Sequence, residues 1–200
     1  MSRIITKQYE IFTLKEMLSN PETKQKLLEK HYDINVDYYD WHKFILDEWQ
    51  DKLDDIGFSN PEINYTGFNS QGDGASFTCK EIDFIKMCKY LNYNKRESNL
   101  IYELWNQGYI EAAVKRNNYH YYHENTVTLE YYDGQLLISW KHIQKLVDKL
   151  WNDIESLIKP LCCEIYRDLE NEYEYLISEA AIIETLQANE YEFYSDGTIA

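Results

Sequence analysis

Linker chemistry is what this sequence has least of: three prolines, seven glycines and no Ser/Gly tract in 200 residues. So little punctuation leaves no flexible joint between domains, which predicts one compact domain over residues 1–200. Long apolar runs are missing too. None approaches the roughly 18 residues of a membrane-spanning helix, so no membrane contact is expected. The opening MSRIITKQYEIFTLKEM has no apolar core of the kind a secretory signal carries. Cys79, Cys88, Cys162 and Cys163 show no CxxC spacing, which argues against a zinc site or a disulfide framework and for a reducing cytoplasm. The expectation is a protein with no metal and no cofactor. Cys162 and Cys163, adjacent on a helix, are expected as one buried and one partly exposed thiol.

Positive charge is the remaining shortage. Against 35 acids stand 20 bases, for a net charge of -15. Residues 161–200 alone hold ten acids and the single base Arg167, which places over half of the excess in a fifth of the chain. Such a surface repels phosphate backbones, so direct DNA or RNA binding is disfavoured. Only Lys86, Lys89, Lys95 and Arg96 approach a basic patch in sequence.

The patterning predicts an α+β fold, a mostly antiparallel sheet with helices packed on one face and a long C-terminal helical region. Residues 1–35 read as a helical hairpin broken near Asn20-Pro21, and Asp37 to Ile56 as a helix capped by Asp37 and ended by Gly57. Within residues 36–138, Pro61–Phe68 and Ala75–Cys79 alternate as a hairpin, and Glu81–Tyr93 and Lys95–Gln107 read as helices. Tyr109–Tyr132 reads as a three-stranded meander with Tyr119–His123 in the middle. Over residues 139–200 one amphipathic pattern runs from Ser139 to about Ile177, with Pro160 expected to kink or split it near Leu157. A short helix, Ser178–Asn189, and a strand, Tyr191–Tyr194, close the chain. Trp41, Trp49, Trp105, Trp140 and Trp151 are expected in the core.

The connection between the hairpin strands is the first candidate site. Ser70, Gln71, Gly72, Asp73 and Gly74 combine turn glycines with small polar side chains, and with Ser76 they can hold a phosphate or a nucleotide edge on backbone N–H groups. No lysine follows the glycines, so this is not a Walker loop. The competing reading is a fixed turn whose Asp and Ser bond their own backbone and whose Gln71 packs back onto the sheet. Tyr121 and His123 share a strand face that can complete a ligand site, or a hydrolase in which His123 acts as base with Asp73 and Ser70. His120 and His123, three apart on a strand, face opposite ways and make a weak metal signal.

GFNSQGDGASF after the acidic helix YDWHKFILDEWQDKLDDIGF, then YYHENTVTLE, then EYEYLISEAAIIETLQANEYEFYSDG, resembles a family of uncharacterised proteins from bacteriophage genomes and bacterial mobile regions, over roughly residues 35–198. The resemblance implies a small, soluble accessory protein that acts on host machinery in an infected cell, and carries no activity over.

Glu164, Asp168 and Glu172 follow at four-residue steps, and Glu170 and Glu174 form a second such pair, so like charges crowd one helix at about 5–6 Å. Tyr173, Tyr175, Tyr191 and Tyr194 lie among them. A charged row is commonly a solvated face; closely spaced carboxylates also imitate the phosphates of a nucleic acid. The leading expectation is therefore a phage accessory protein, more a binder than an enzyme, that inhibits a nucleic-acid-directed host defence component such as a CRISPR effector through Glu164, Asp168, Glu170, Glu172, Glu174, Tyr173 and Tyr175. Its partner would be a host protein with a basic surface, with self-association left open. The alternatives are the nucleotide module at Gly72–Gly74 and the His123/Asp73 hydrolase.

Overall fold

A computed structural model describes residues 8–38, 40–118, 120–134 and 140–200. In order, the elements are β1 (Phe12–Thr13), α1 (Leu14–Ser19), α2 (Pro21–Lys30), α3 (Lys43–Ile56), β2 (Phe58–Ser59), β3 (Glu62–Tyr65), β4 (Ala75–Thr78), β5 (Glu81–Ile82), α4 (Phe84–Tyr90), α5 (Lys95–Asn106), β6 (Ile110–Arg116), β7 (Val127–Asp133), α6 (Lys141–Leu176), α7 (Glu179–Ala188) and β8 (Glu192–Phe193). The fold is α+β, and its strands pair antiparallel in four two-stranded ladders. Contacts gather into two compact units where the sparse punctuation predicts one: residues 1–42 with 171–200, and residues 43–170.

The smaller unit is built on capping chemistry. Thr13 and Glu16 form a reciprocal capping box on α1, and Asn20 caps α2 with Pro21 in its first turn, so Asn20-Pro21 divides two helices as expected. Ser178 caps α7, and β1 pairs with β8 in the register Phe12 to Phe193. Met17, Leu27, Ile182, Leu186 and Phe193 form the core. The terminal turn is tied down by Lys30, which donates to Thr198 Oγ1 at 2.6 Å and Asp196 at 3.3 Å. The Thr198 amide, then its side chain and Lys30, hold the Asp196 carboxyl down to about 2.

In the larger unit the hairpin is where the alternation puts it, Ile63 opposite Phe77 and Tyr65 opposite Ala75. β6 and β7 pair over seven residues, from Ile110 opposite Asp133 to Arg116 opposite Val127. One face of this ribbon, with Ile110, Ala112, Val114 and Val127, is buried, while Glu111, Lys115, Thr128 and Glu130 face solvent. Tyr131 stacks on Trp151 of α6 at 4.7 Å, and a bridge between Cys79 and Val114 joins the hairpin to β6. Asp83 and Asn94 cap α4 and α5.

Four expectations need correction. First, α3 starts at Lys43, and Asp37 does not cap it. Residues before it form successive turns, and Asn35 is spent on tertiary bonds, donating to the Leu176 carbonyl and accepting from Thr185. Second, the meander has no middle strand among residues 120–123. β6 pairs directly with β7, and the Asn117 amide donates to the Thr126 carbonyl to close the ribbon. Third, Pro160 does not split α6, which runs unbroken through 36 residues. An interior proline costs about 3 kcal/mol. Ile154, Ile158, Leu161, Cys162 and Ile165 are buried on both sides of it, and each large aliphatic group contributes about 1.5–3 kcal/mol, so packing outweighs the lost bond. Fourth, Trp49 and Trp151 are core residues but Trp140 is 48% exposed. The expected start of α6 at Ser139 lies outside the described residues.

Candidate functional site

The Thr66–Gly74 connection is a closed turn. One Asp73 carboxylate oxygen accepts from the amides of Asn69 (2.9 Å) and Ser70 (2.6 Å), and the Asp73 amide donates to the Ser70 carbonyl. Gly74 donates to Thr66 Oγ1, and the Thr66 amide donates back to the Gly74 carbonyl. The amides of Asn69, Ser70, Asp73 and Gly74 are thus engaged within the loop.

Both sides of the loop are packed. A Cβ at Gly72 would lie 3.0 Å from the Tyr121 ring, and one at Gly74 would lie 2.4 Å from His123 Cβ and 2.9 Å from its Cα. Gly72 also has φ +96°, and these glycines are therefore required by backbone conformation and close approach. On the other side Tyr65, Phe68 and Tyr166 stack in sequence at 5.8 and 5.6 Å, which anchors the loop to α6. Tyr121 and His123 thus meet the loop as seats for its glycines. Gln71 is exposed and does not pack back onto the sheet, and Ser70 is exposed beside it.

The triad geometry is not assembled. His123 Nδ1 accepts from the Asn125 amide, which leaves the ring proton on Nε2, and the His123 carbonyl takes the Thr126 hydroxyl and amide. Asp73 spends its carboxylate on Asn69 and Ser70 instead of orienting the imidazole. His120, exposed, donates its amide to Asn118. Among the described residues no group of three or more His, Cys, Asp or Glu side chains is placed to hold a metal ion. Cys163 is exposed, while burial pushes Cys79 and Cys88 up to about 11 and Cys162 up to about 12, as inert packing thiols.

The acidic residues divide between the two units. In the larger one, Asp168 accepts from Trp49 Nε1 at 2.9 Å, and Glu164 lies 3.7 Å from Lys52, whose ammonium also sits 3.6 Å from the centre of the Trp49 ring. Asp168 and Glu164 therefore bring α6 beside α3, whose own acids the sequence reading passed over. Asp47, Glu48, Asp51 and Asp55 are exposed along α3, and Phe44, one turn before them, is 77% exposed. The signal was present as four-residue steps in DEWQDKLDDI. Asp54 is excluded from this row because Lys86 holds it at 2.6 Å and lowers its pKa. Glu170 is half-buried. In the smaller unit Glu172 is half-buried, Glu174 exposed, Tyr175 54% exposed, and Tyr173 sits 5.9 Å from the Trp41 ring.

No helix among the described residues is long and apolar enough to cross a membrane. No curated protein and no solved structure matches the chain. A family model described as a domain of unknown function, DUF8835, matches residues 41–179, more than half of the chain and the whole of the α3 to α6 arrangement. The chain belongs to the DUF8835 family.

Proposed function

We propose that this chain is a binding protein whose acidic surface occupies the basic, nucleic-acid-binding site of a partner protein. The observation that carries the reading is the exposed row on α3. Asp47, Glu48, Asp51 and Asp55 span eight residue steps, about 12 Å of helix axis, a mean spacing of about 4 Å between successive charges. One strand of duplex DNA carries a phosphate about every 3.4 Å. None of the four carboxylates has an ion-pair partner among the described residues, so their charge is available. Glu164 and Asp168 extend the row onto α6, and Phe44 adds an apolar anchor of the kind that turns electrostatic attraction into residence.

The resemblance to phage-encoded proteins supplies the class of partner: a nucleic-acid-directed host defence enzyme, such as a CRISPR effector, in the cytoplasm of an infected bacterium. The closed loop and the unassembled triad give no comparable support to a ligand module or a hydrolase.

Charge reversal tests this reading. Asp47→Lys, Glu48→Lys and Asp51→Lys are all exposed, so the triple variant is expected to fold. Capture of basic host proteins on the immobilised chain should fall at least about tenfold with the variant, and fall steeply for the wild type between low and high salt. Capture that ignores both changes contradicts the proposal.

A further inference from the structure

The period of the α3 acids recurs with opposite sign elsewhere in the larger unit. Asp47, Asp51 and Asp55 are exposed at four-residue steps on α3, and Lys141, Lys145 and Lys149 are exposed at four-residue steps at the start of α6. Residues four apart share one face of a helix, so each row is a line of three like charges about 12 Å long. The two lines match in length and spacing.

Lys141 and Lys145 have no ion-pair partner among the described residues, and Lys149 lies 4.0 Å from Asp153. Asp148, the acid beside this row, accepts from Gln144 Nε2. Within one copy the rows cannot meet. α3 touches α6 at Glu164 and Asp168, and Lys149 precedes Glu164 by fifteen residues, about 22 Å of helix axis.

Between two copies they fit in one direction. Antiparallel helices set Asp47 against Lys149, Asp51 against Lys145 and Asp55 against Lys141, and one turn further the same register sets exposed Lys43 against Asp153. Opposed helix dipoles favour this direction too. The alignment also carries Phe44, 77% exposed, to the Lys149 end, where the Tyr93 ring lies 4.2 Å from the Lys149 ammonium and Tyr90 is 47% exposed. An apolar anchor thus meets an aromatic surface.

From this match we infer that copies of the chain associate with each other, the α3 acids of one seated on the α6 lysines of the next with the helices antiparallel. Association covers the α3 row, so the row is free only in the dissociated chain. The inference shares that row with the function proposed above but does not rest on it, since it needs no other protein, and a chain that stays monomeric leaves that function standing.

Both copies carry a net charge of -15, so salt screens their repulsion along with the pairs, and exchanging charges is the sharper test. Sedimentation equilibrium of the full chain at rising concentration should give an average mass above the 24.1 kDa of one copy. Lys141→Glu with Lys145→Glu, and separately Asp51→Lys with Asp55→Lys, change exposed positions only, and each double variant alone should associate at least about tenfold more weakly. An equimolar mixture of the two variants restores opposite charges at the contact, and should regain the wild-type mass. A wild type that stays at one copy overturns the inference, even if its α6 lysines retain a labelled oligonucleotide instead. So does a double variant that associates like the wild type, or a mixture that stays dissociated.

Discussion

Gly57→Ala is expected to cost about 3–5 kcal/mol of stability, since a strained backbone and an overpacked contact each cost about 1–3 kcal/mol. Gly57 ends α3 at φ +122°, a region that L side chains rarely adopt, and its amide closes the helix onto the Leu53 carbonyl. An added Cβ would lie 2.7 Å from the Asp83 carbonyl and 2.9 Å from the Met87 amide nitrogen. Neither neighbour can retreat. The Gly57 carbonyl accepts from the Asp83 amide, and Asp83 caps α4. The substitution thus strains the junction through which α3, β2 and α4 reach the core, where Ile56, Phe58 and Phe84 are buried. For a chain of this length each kcal/mol shifts Tm by about 2–4 °C, so a fall of about 10 °C is expected. A fall under about 2 °C would mean that the close approach at Asp83 is not a constraint on this fold.

The second large effect is expected at Gly74. Gly74→Ala places a methyl group 2.4 Å from His123 Cβ and 3.0 Å from the Tyr122 carbonyl, and overpacking against backbone costs about 1–3 kcal/mol. Ser70→Ala and Gln71→Ala, both at exposed positions, should each stay within about 0.5 kcal/mol. Denaturant titration of the three variants separates the readings of this loop. The packed turn predicts a large effect at the glycine and near silence at the polar tip. Equal tolerance at all three positions would reopen the loop as a free, ligand-accessible segment.

Much of this architecture was legible because it is local. The hairpin of β3 and β4 follows from strict alternation, and α5 and α7 fall within the expected helices Lys95–Gln107 and Ser178–Asn189. What sequence could not show was settled by tertiary packing. The segment around His120 to His123 has the alternation of a strand, yet Asn118, His123 and Thr126 satisfy its backbone locally, and Arg116 stacks on Tyr122 instead. Pro160 reads as a break until the burial on either side of it is known.

The same distinction governs the sites. Gly72 and Gly74 lie against Tyr121 and His123, but their spacing in sequence could not tell a ligand cradle from a seat for a close turn. The acids of residues 164–174 were visible as a row, whereas the acids of α3 lie over a hundred positions away, and α3 reaches Asp168 and Glu164 through Trp49 and Lys52.

The central claim is that the α3 acids stand in for a nucleic acid, and competition for a partner's DNA measures this most directly. A fluorescently labelled duplex bound to a captured basic partner should be released, with falling anisotropy, as the chain is added, and the Asp47→Lys, Glu48→Lys, Asp51→Lys variant should release little. Anisotropy that stays high while the chain is demonstrably bound to the same partner would show the two occupying different surfaces, and would contradict the account.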